Sequence, residues 1–221
     1  MTSLFLDRRD AGRRLASKLT MFAGRPDVIV LGLPRGGVPV AFEVAVALHA
    51  PLDVFLVRKL GVPGQEELAM GAIASGGVRV LNQAVIDALQ IPAPVIDTVA
   101  AKEQQELERR ERIYRNGRPA PDLRDKTVIL VDDGLATGAS MAAAVHGVRA
   151  QRPAQVVVAV PTAAVETCEA FERISDKIVC AETPQPFWGV GMWYADFSQT
   201  SDEEVRELLA RAAELQKGVA G

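Results

Sequence analysis

The chain has 221 residues, 48% of them hydrophobic and 24% charged, a composition that describes a globular protein with a sizeable core and excludes a disordered or fibrous one. Its 25 Lys and Arg against 28 Asp and Glu give a formal net charge of -3. No global basic field therefore draws it to nucleic acid or to an anionic membrane, and any anion site has to be local.

The opening stretch, MTSLFLDRRDAGRRL, is charged within its first ten residues and has no apolar run suited to a secretory signal. No segment approaches ~20 consecutive apolar residues, so a cytoplasmic protein is expected. Arg8 to Leu19 reads as a helix, followed by a β-branched run, Val28 to Leu31, and a second helical pattern, Val38 to His49. Val54 to Val57 is the next strand. Residues 68 to 82 (LAMGAIASGGVRVLN) then hold two strand-like pieces around Gly76-Gly77, a dipeptide suited to the positive-φ positions of a hairpin turn. Residues 94 to 116 form a charged helix that ends at Asn116-Gly117 with Pro119 close behind. It reads as a solvated helix over one sheet edge, with a partner-binding helix as the alternative. The strand Val128 to Val131, the helix Ala139 to Ala150, the strand Val156 to Val160, the helix Ala163 to Phe171 and the strand Ile178 to Cys180 complete the alternation. Ser201 to Gln216 opens on a Ser-x-x-Glu capping box and closes the chain as a helix without chemistry.

Because the strands are apolar without a polar face, both faces are buried, and the exchange of strand and helix predicts an α/β fold. A parallel twisted sheet flanked by helices is expected in one domain, 1–221, with an inserted hairpin and a small hood from 182–198; segments 61–82 and 94–116 are the insertions. Cys168 and Cys180 lack the spacing of a zinc site and are expected as free thiols of a reducing compartment. His49 and His146 sit in helical patterns, where packing or exposure is the simpler reading than catalysis.

In Val128 to Ser140 (VILVDDGLATGAS) a buried strand runs into an acidic pair, then a turn of Gly, Thr and Ser, then a helix start. Backbone N–H groups at such a turn have no intrahelical acceptor and lie at the positive end of the helix dipole, so Ala136, Thr137, Gly138, Ala139 and Ser140 are suited to cradle a phosphate. Asp132 and Asp133 then stand about one sugar length away, placed to accept hydrogen bonds from adjacent hydroxyls. An acidic pair after a strand also occurs in phosphoacceptor receiver domains, and strand-turn-helix can be plain scaffold; the phosphate loop that follows immediately here disfavours both.

VDDGLATGAS resembles the phosphoribosyl diphosphate signature of the type I phosphoribosyltransferases: a hydrophobic run, two acids, two variable residues and a Thr-Gly-x-Ser/Thr loop. The resemblance implies a Rossmann-like fold and transfer of 5-phosphoribosyl from phosphoribosyl diphosphate to a nitrogen acceptor, a nucleobase in most members, with release of pyrophosphate. It also implies that Asp132 and Asp133 hold the ribose 2- and 3-hydroxyls and that 136–140 bind the 5-phosphate. Arg35-Gly36-Gly37, after Val28 to Leu31, falls where the family binds pyrophosphate, and Arg58-Lys59, after Val54 to Val57, would complete that clamp unless it is a solvated pair. Mg2+ is implied, held mainly by substrate and water and by Asp132 and Asp133. Segment Gly61 to Ala69, with Gln65, Glu66 and Glu67, would be a mobile loop closing over the reacting centre. Family enzymes for 6-oxopurines carry an Asp where this chain has Ala136; the loop is most similar to that of adenine phosphoribosyltransferases. Base recognition falls to a hood, here Glu182 to Ser198, which gathers Phe187, Trp188, Trp193, Tyr194 and Phe197 beside Asp196; the alternative is a cap packing its aromatics on the core. Dimers are common among similar enzymes. The rival function is a regulator that senses phosphoribosyl diphosphate without transfer.

Overall fold

The computed structural model describes residues 3–219. In chain order its helices are α1 (Arg8–Ser17), α2 (Gly37–Leu48), α3 (Gln83–Leu89), α4 (Ala93–Arg115), α5 (Ala139–Arg149), α6 (Val165–Phe171) and α7 (Asp202–Val219). Its strands are β1 (Val28–Gly32), β2 (Leu52–Val54), β3 (Val57–Val62), β4 (Gln65–Ala74), β5 (Val78–Leu81), β6 (Thr127–Val131), β7 (Gln155–Thr162) and β8 (Lys177–Glu182). Five strands form a parallel sheet in the order β2-β1-β6-β7-β8; β3, β4 and β5 form a separate antiparallel sheet.

The parallel sheet is covered on both faces, which is why its strands show no hydropathy alternation. Val28 and Val30 of β1, Ile129 and Val131 of β6 and Val157 and Ala159 of β7 pack with α1, α2 and α7. The intervening residues, Ile29, Leu31, Val128, Leu130, Val156, Val158 and Val160, pack with α5 and α6. Each buried Val, Ile or Leu among them stabilises the fold by about 1.5–3 kcal/mol relative to an exposed one. Helix α7 buries Val205, Leu208, Leu209 and Ala212, one stripe of a 3.6-residue period. Its start is capped as the sequence predicts, the Glu204 N–H donating to Ser201 Oγ at 3.0 Å.

Several expectations need correction. The strand expected over Val54 to Val57 breaks after Val54: Phe55 and Leu56 are buried linkers, and Val57 already belongs to the second sheet. Arg58 and Lys59 therefore lie inside an antiparallel strand rather than at the end of a parallel one. Segment Gly61 to Ala69, expected as a mobile loop, is the turn and flanking strands of the β3–β4 hairpin, which reverses at Pro63-Gly64 with Gly64 at φ 80°. Leu60 and Met70, both fully buried, pin that ladder, while Gln65, Glu66, Glu67 and Leu68 are exposed and give the segment a loop-like composition. The hairpin at Gly76-Gly77 is as expected, with φ of 85° and 78°.

The long helix α4 is more than a solvated cover. Ile96, Ala100, Leu107 and Tyr114 are buried, and Arg115, 5% exposed, donates to both carboxylate oxygens of Asp53 at 3.1 Å and to the Val54 carbonyl. Finally, Cys168 of α6 and Cys180 of β8 form a disulfide, not free thiols. Helix α6 lies along β8, so residues twelve apart in sequence face each other, a proximity their spacing cannot reveal. Among the described residues no helix is long and apolar enough to cross a membrane.

Candidate functional site

Strands β1 and β6 are neighbours, yet the chain leaves them towards opposite faces of the sheet: β1 continues through α2 on one face, β6 through α5 on the other. Their loops diverge and leave a crevice at the carboxyl edge, the place where open α/β sheets bind ligands. Both predicted anion loops border this crevice.

The first loop, Leu33 to Gly36, contains a cis peptide bond between Pro34 and Arg35. Its glycines are required by close approach. A Cβ on Gly36 would stand 2.1 Å from Asp133 Oδ2, and one on Gly37 would stand 2.7 Å from the Val131 carbonyl oxygen and 2.8 Å from Asp132 Cα. The two loops are thus packed backbone to backbone, with the Leu33 N–H donating to the Val131 carbonyl at 2.9 Å.

In the second loop, Gly138 caps α5 in the left-handed region, φ 73°, with the Phe171 ring where a Cβ would be. Thr167 Oγ donates to the Ala136 carbonyl at 2.9 Å and the Leu135 N–H to the Thr162 carbonyl, so α6 and β7 hold the loop from outside. The N–H groups of Thr137, Gly138, Ala139 and Ser140 donate to nothing among the described residues. Thr137, Ala139 and Ser140 are exposed. Unpaired N–H groups converging at a helix start are an anion cradle.

Asp132 and Asp133 lie half-buried between the loops. Asp132 Oδ1 accepts from the Asp133 N–H at 2.9 Å, and Asp133 Oδ2 accepts from Arg8 Nε at 2.9 Å. The other oxygen of each, Asp132 Oδ2 and Asp133 Oδ1, accepts no hydrogen bond among the described residues. Two adjacent free acceptors suit two adjacent hydroxyls. Burial, and then the neighbouring Asp133 charge, push the Asp132 carboxyl well above its usual range; burial also raises Asp133, against the pull of Arg8.

A cavity of about 120 Å³ extends from Asp132, lined also by Pro34, Val57, Arg58, Arg110, Tyr114 and Ser140. Arg58 reaches it, its Nε 2.5 Å from Glu103 Oε2. Lys59 does not: it lines the neighbouring cleft between the β3–β4 hairpin and α4, where its Nζ is 3.3 Å from Glu67. Arg35 turns towards α7, 3.9 Å from Asp202 Oδ1, which also accepts from Tyr114 OH at 2.6 Å. Of the hood residues, Trp193 and Tyr194 are buried on Phe5 and Ala11, Phe187 stacks on Trp193 at 6.5 Å, Asp196 accepts from the Ser198 N–H and only Trp188, 68% exposed, stands free. Tyr194 OH donates to the Asp133 carbonyl at 2.6 Å. His49 and His146 are exposed and line no part of the crevice.

The sequence profile of the phosphoribosyl transferase domain matches residues 5–195, most of the chain and both loops. The chain belongs to this family. Two similar proteins of Mycobacterium tuberculosis, from strains CDC 1551 and H37Rv, each named "Putative phosphoribosyl transferase", are 50% identical over 209 residues, 95% of this chain. The chain spans about half the length of these curated relatives, 47% of each. The crystal structure of TT1426 from Thermus thermophilus is similar at 43% identity and a TM-score of 0.81, covering 94% of this chain and 98% of that one.

Within this phosphoribosyl transferase domain, Arg8 and Arg110 border the crevice without a signal in the sequence, and Tyr194, expected as part of a base-recognising hood, is buried with its hydroxyl on the Asp133 carbonyl. Arg8 shares its helix with Arg9, Arg13 and Arg14, and no spacing distinguishes it. Only the fold brings α1 to the end of β6.

The raised Asp132 carboxyl has a stability consequence. A carboxyl that binds its proton more tightly when folded favours the fold below its unfolded pKa, and that contribution is lost as pH rises through the folded pKa. We therefore expect Asp132→Asn to raise the melting temperature of the ligand-free protein at pH 7 by about 2–4 °C, or about 1 kcal/mol, and to flatten its decline with rising pH. Calorimetry between pH 4 and 8 checks both; a lower melting temperature at pH 7 would contradict the burial argument.

Proposed function

We propose that the chain binds phosphoribosyl diphosphate across the β1–β6 crevice and transfers its 5-phosphoribosyl group to a nucleobase nitrogen, releasing pyrophosphate. The observation that carries this reading is the pairing of two anion loops on adjoining strand ends with an acidic pair between them, a spacing suited to a sugar phosphorylated at both ends. In it, the N–H groups of Thr137 to Ser140 bind the 5-phosphate, and Asp132 Oδ2 and Asp133 Oδ1 accept from the 2- and 3-hydroxyls, each hydrogen bond to a carboxylate contributing about 1.5–3 kcal/mol. Arg35 and Arg58 flank the pyrophosphate side, Arg35 after a side-chain turn away from Asp202, with Gly36 and Gly37 letting the backbone close in.

In the transfer, the C1–oxygen bond to pyrophosphate breaks ahead of the C1–nitrogen bond, pyrophosphate leaving with the electron pair, so the ribose ring carries positive charge until the acceptor's lone pair adds and its N–H proton passes to water or the departing pyrophosphate. Asp132 and Asp133 lie beside that charge, and the cations face the departing oxygens, an arrangement that lowers the barrier electrostatically. Among the described residues no three Asp, Glu, His or Cys side chains gather as a cation cage. Mg2+ would be held mainly by the substrate and water, with Asp132 and Asp133 as the nearby carboxylates of the crevice, and would screen the leaving group's charge. The exposed β3–β4 hairpin, next to the cleft of Arg58, is the segment positioned to limit water access.

Ala136 offers no carboxylate to a purine N7, which disfavours a 6-oxopurine acceptor. Since Trp193 and Tyr194 are committed to the core, Trp188 with Phe187 is the available stacking platform. A screen of nucleobases and small amines with Mg2+ and phosphoribosyl diphosphate tests the reading. Pyrophosphate release that depends on one acceptor is expected; release without acceptor would indicate hydrolysis, and binding without release would favour a sensor.

A further inference from the structure

Arg8 is the only ion-pair partner of either crevice carboxylate among the described residues. Its Nε donates to Asp133 Oδ2 at 2.9 Å and its Nη1 to the Ser198 carbonyl at 2.7 Å, while its guanidinium carbon lies 4.0 Å from the centre of the Phe197 ring. The ion pair is largely shielded, with side-chain exposures of 12% for Arg8 and 16% for Asp133. Phe197 in turn packs on Tyr194, ring centres 5.0 Å apart, and the Tyr194 hydroxyl donates to the Asp133 carbonyl. One side chain from α1 therefore joins the acidic pair to the hood segment 194–198.

The other groups around Asp133 supply no positive charge. Asp132 is a like charge on the same loop, Gly36 faces Asp133 Oδ2 without a side chain, Tyr194 is a neutral donor to the backbone, Asp196 of the hood is acidic, and Arg35 is turned to Asp202. Two adjacent carboxylates resist being ionised together unless a cation offsets their repulsion. Moreover, a carboxylate whose outer oxygen is fixed presents the other in one direction.

We propose that Arg8 is a positioning residue of the ribose subsite: it fixes Asp133 with one oxygen free for a sugar hydroxyl, offsets the repulsion between the paired acids, and ties them to residues 194–198 through Ser198 and Phe197. The inference rests on the ribose-binding reading of Asp132 and Asp133. It is distinct from the pyrophosphate role of Arg35 and Arg58, since Arg8, although its Nε lies beside Gly36, donates to Asp133 and Ser198 and lines a separate small recess with Asp196 and Thr200.

Calorimetric titration of wild type, Arg8→Gln and Arg8→Lys with ribose 5-phosphate and with its 2- and 3-deoxy analogues tests this directly. R8Q is expected to weaken ribose 5-phosphate roughly tenfold or more, the scale of one charge-assisted hydrogen bond, and to narrow its advantage over the deoxy analogues, because Asp133 no longer presents its free oxygen in one direction. R8K, which keeps the charge and a donor, should lose less affinity and keep part of the preference. R8Q retaining the full wild-type preference for the hydroxylated sugar would overturn the proposal, as would R8K behaving like R8Q. Hydrogen exchange of wild type alone gives a check independent of folding of the variants: protection of Tyr194 to Ser198 should rise when ribose 5-phosphate binds, and unchanged protection would refute the tie to the hood. Absence of ribose 5-phosphate binding by wild type would remove the ribose reading, while exchange of Tyr194 to Ser198 in the ligand-free wild type, R8Q and R8K would still decide the hold of Arg8 on that segment.

Discussion

Asp132→Asn combined with Asp133→Asn is expected to abolish the thermal protection that Mg2+ and phosphoribosyl diphosphate give the wild type. At a ligand concentration 100 times its dissociation constant, binding stabilises a fold by about 2.7 kcal/mol, or roughly 5–10 °C for a domain of this size. The double variant loses both free acceptors at once, along with the charge beside the ribose ring. It leaves the Thr137 to Ser140 cradle intact, so inorganic phosphate should bind it much as it binds wild type. Protection is read against the ligand-free double variant itself, because removing the Asp132 charge relieves a burial cost while removing that of Asp133 leaves the shielded Arg8 without its carboxylate partner. Ligand protection retained in the double variant would remove these residues from the site.

Gly37→Ala is expected to cost about 1–3 kcal/mol of stability, the range for overpacking a tight contact. The added methyl meets the Val131 carbonyl oxygen, Asp132 Cα and Asp132 Oδ1, all within 2.9 Å. Two of these are backbone atoms and cannot turn aside, so relief requires the Leu33 to Gly37 loop to move away from the end of β6. That motion parts the two anion loops, and affinity for phosphoribosyl diphosphate should fall further than affinity for ribose 5-phosphate, which needs only the second loop. Gly64→Ala is the control: its Cβ would meet nothing within 4 Å, and at φ 80° it carries only the local conformational cost. Urea midpoints of the two variants check the difference; equal costs would mean that contact between the loops is not what requires Gly37.

Val128 to Ser140 was legible because strand, acids, turn and helix start are all encoded locally, in residues that act through their own backbone. The parallel sheet was legible for the same reason: β-branched runs buried on both faces need no knowledge of their neighbours. The hairpin at 61–69 was not, since its pairing is fixed by Leu60 and Met70 meeting in the core, while the residues between them are polar and exposed. Lys59 illustrates the consequence. In a loop it would be free to turn to the crevice, but in β3 it is held at the cleft beside α4, which Arg58 also lines, and of the two Arg58 alone reaches the crevice cavity as well. Arg8 depends on contact between distant elements, α1 with β6, and the Cys168–Cys180 bridge on how α6 folds back along the next strand, β8; sequence periodicity signals neither. The hood aromatics divide on the same ground: Trp193 and Tyr194 are held by Phe5, near the other end of the chain.

The most direct test of the central claim is amide NMR of the wild type titrated with ribose 5-phosphate and, separately, with phosphoribosyl diphosphate and Mg2+. Ribose 5-phosphate should shift the amides of Asp132 to Ser140 saturably, and phosphoribosyl diphosphate should shift those and also Arg35 to Gly37. Saturable shifts centred elsewhere, or none at millimolar ligand, would contradict the assignment of the β1–β6 crevice as a phosphoribosyl diphosphate site.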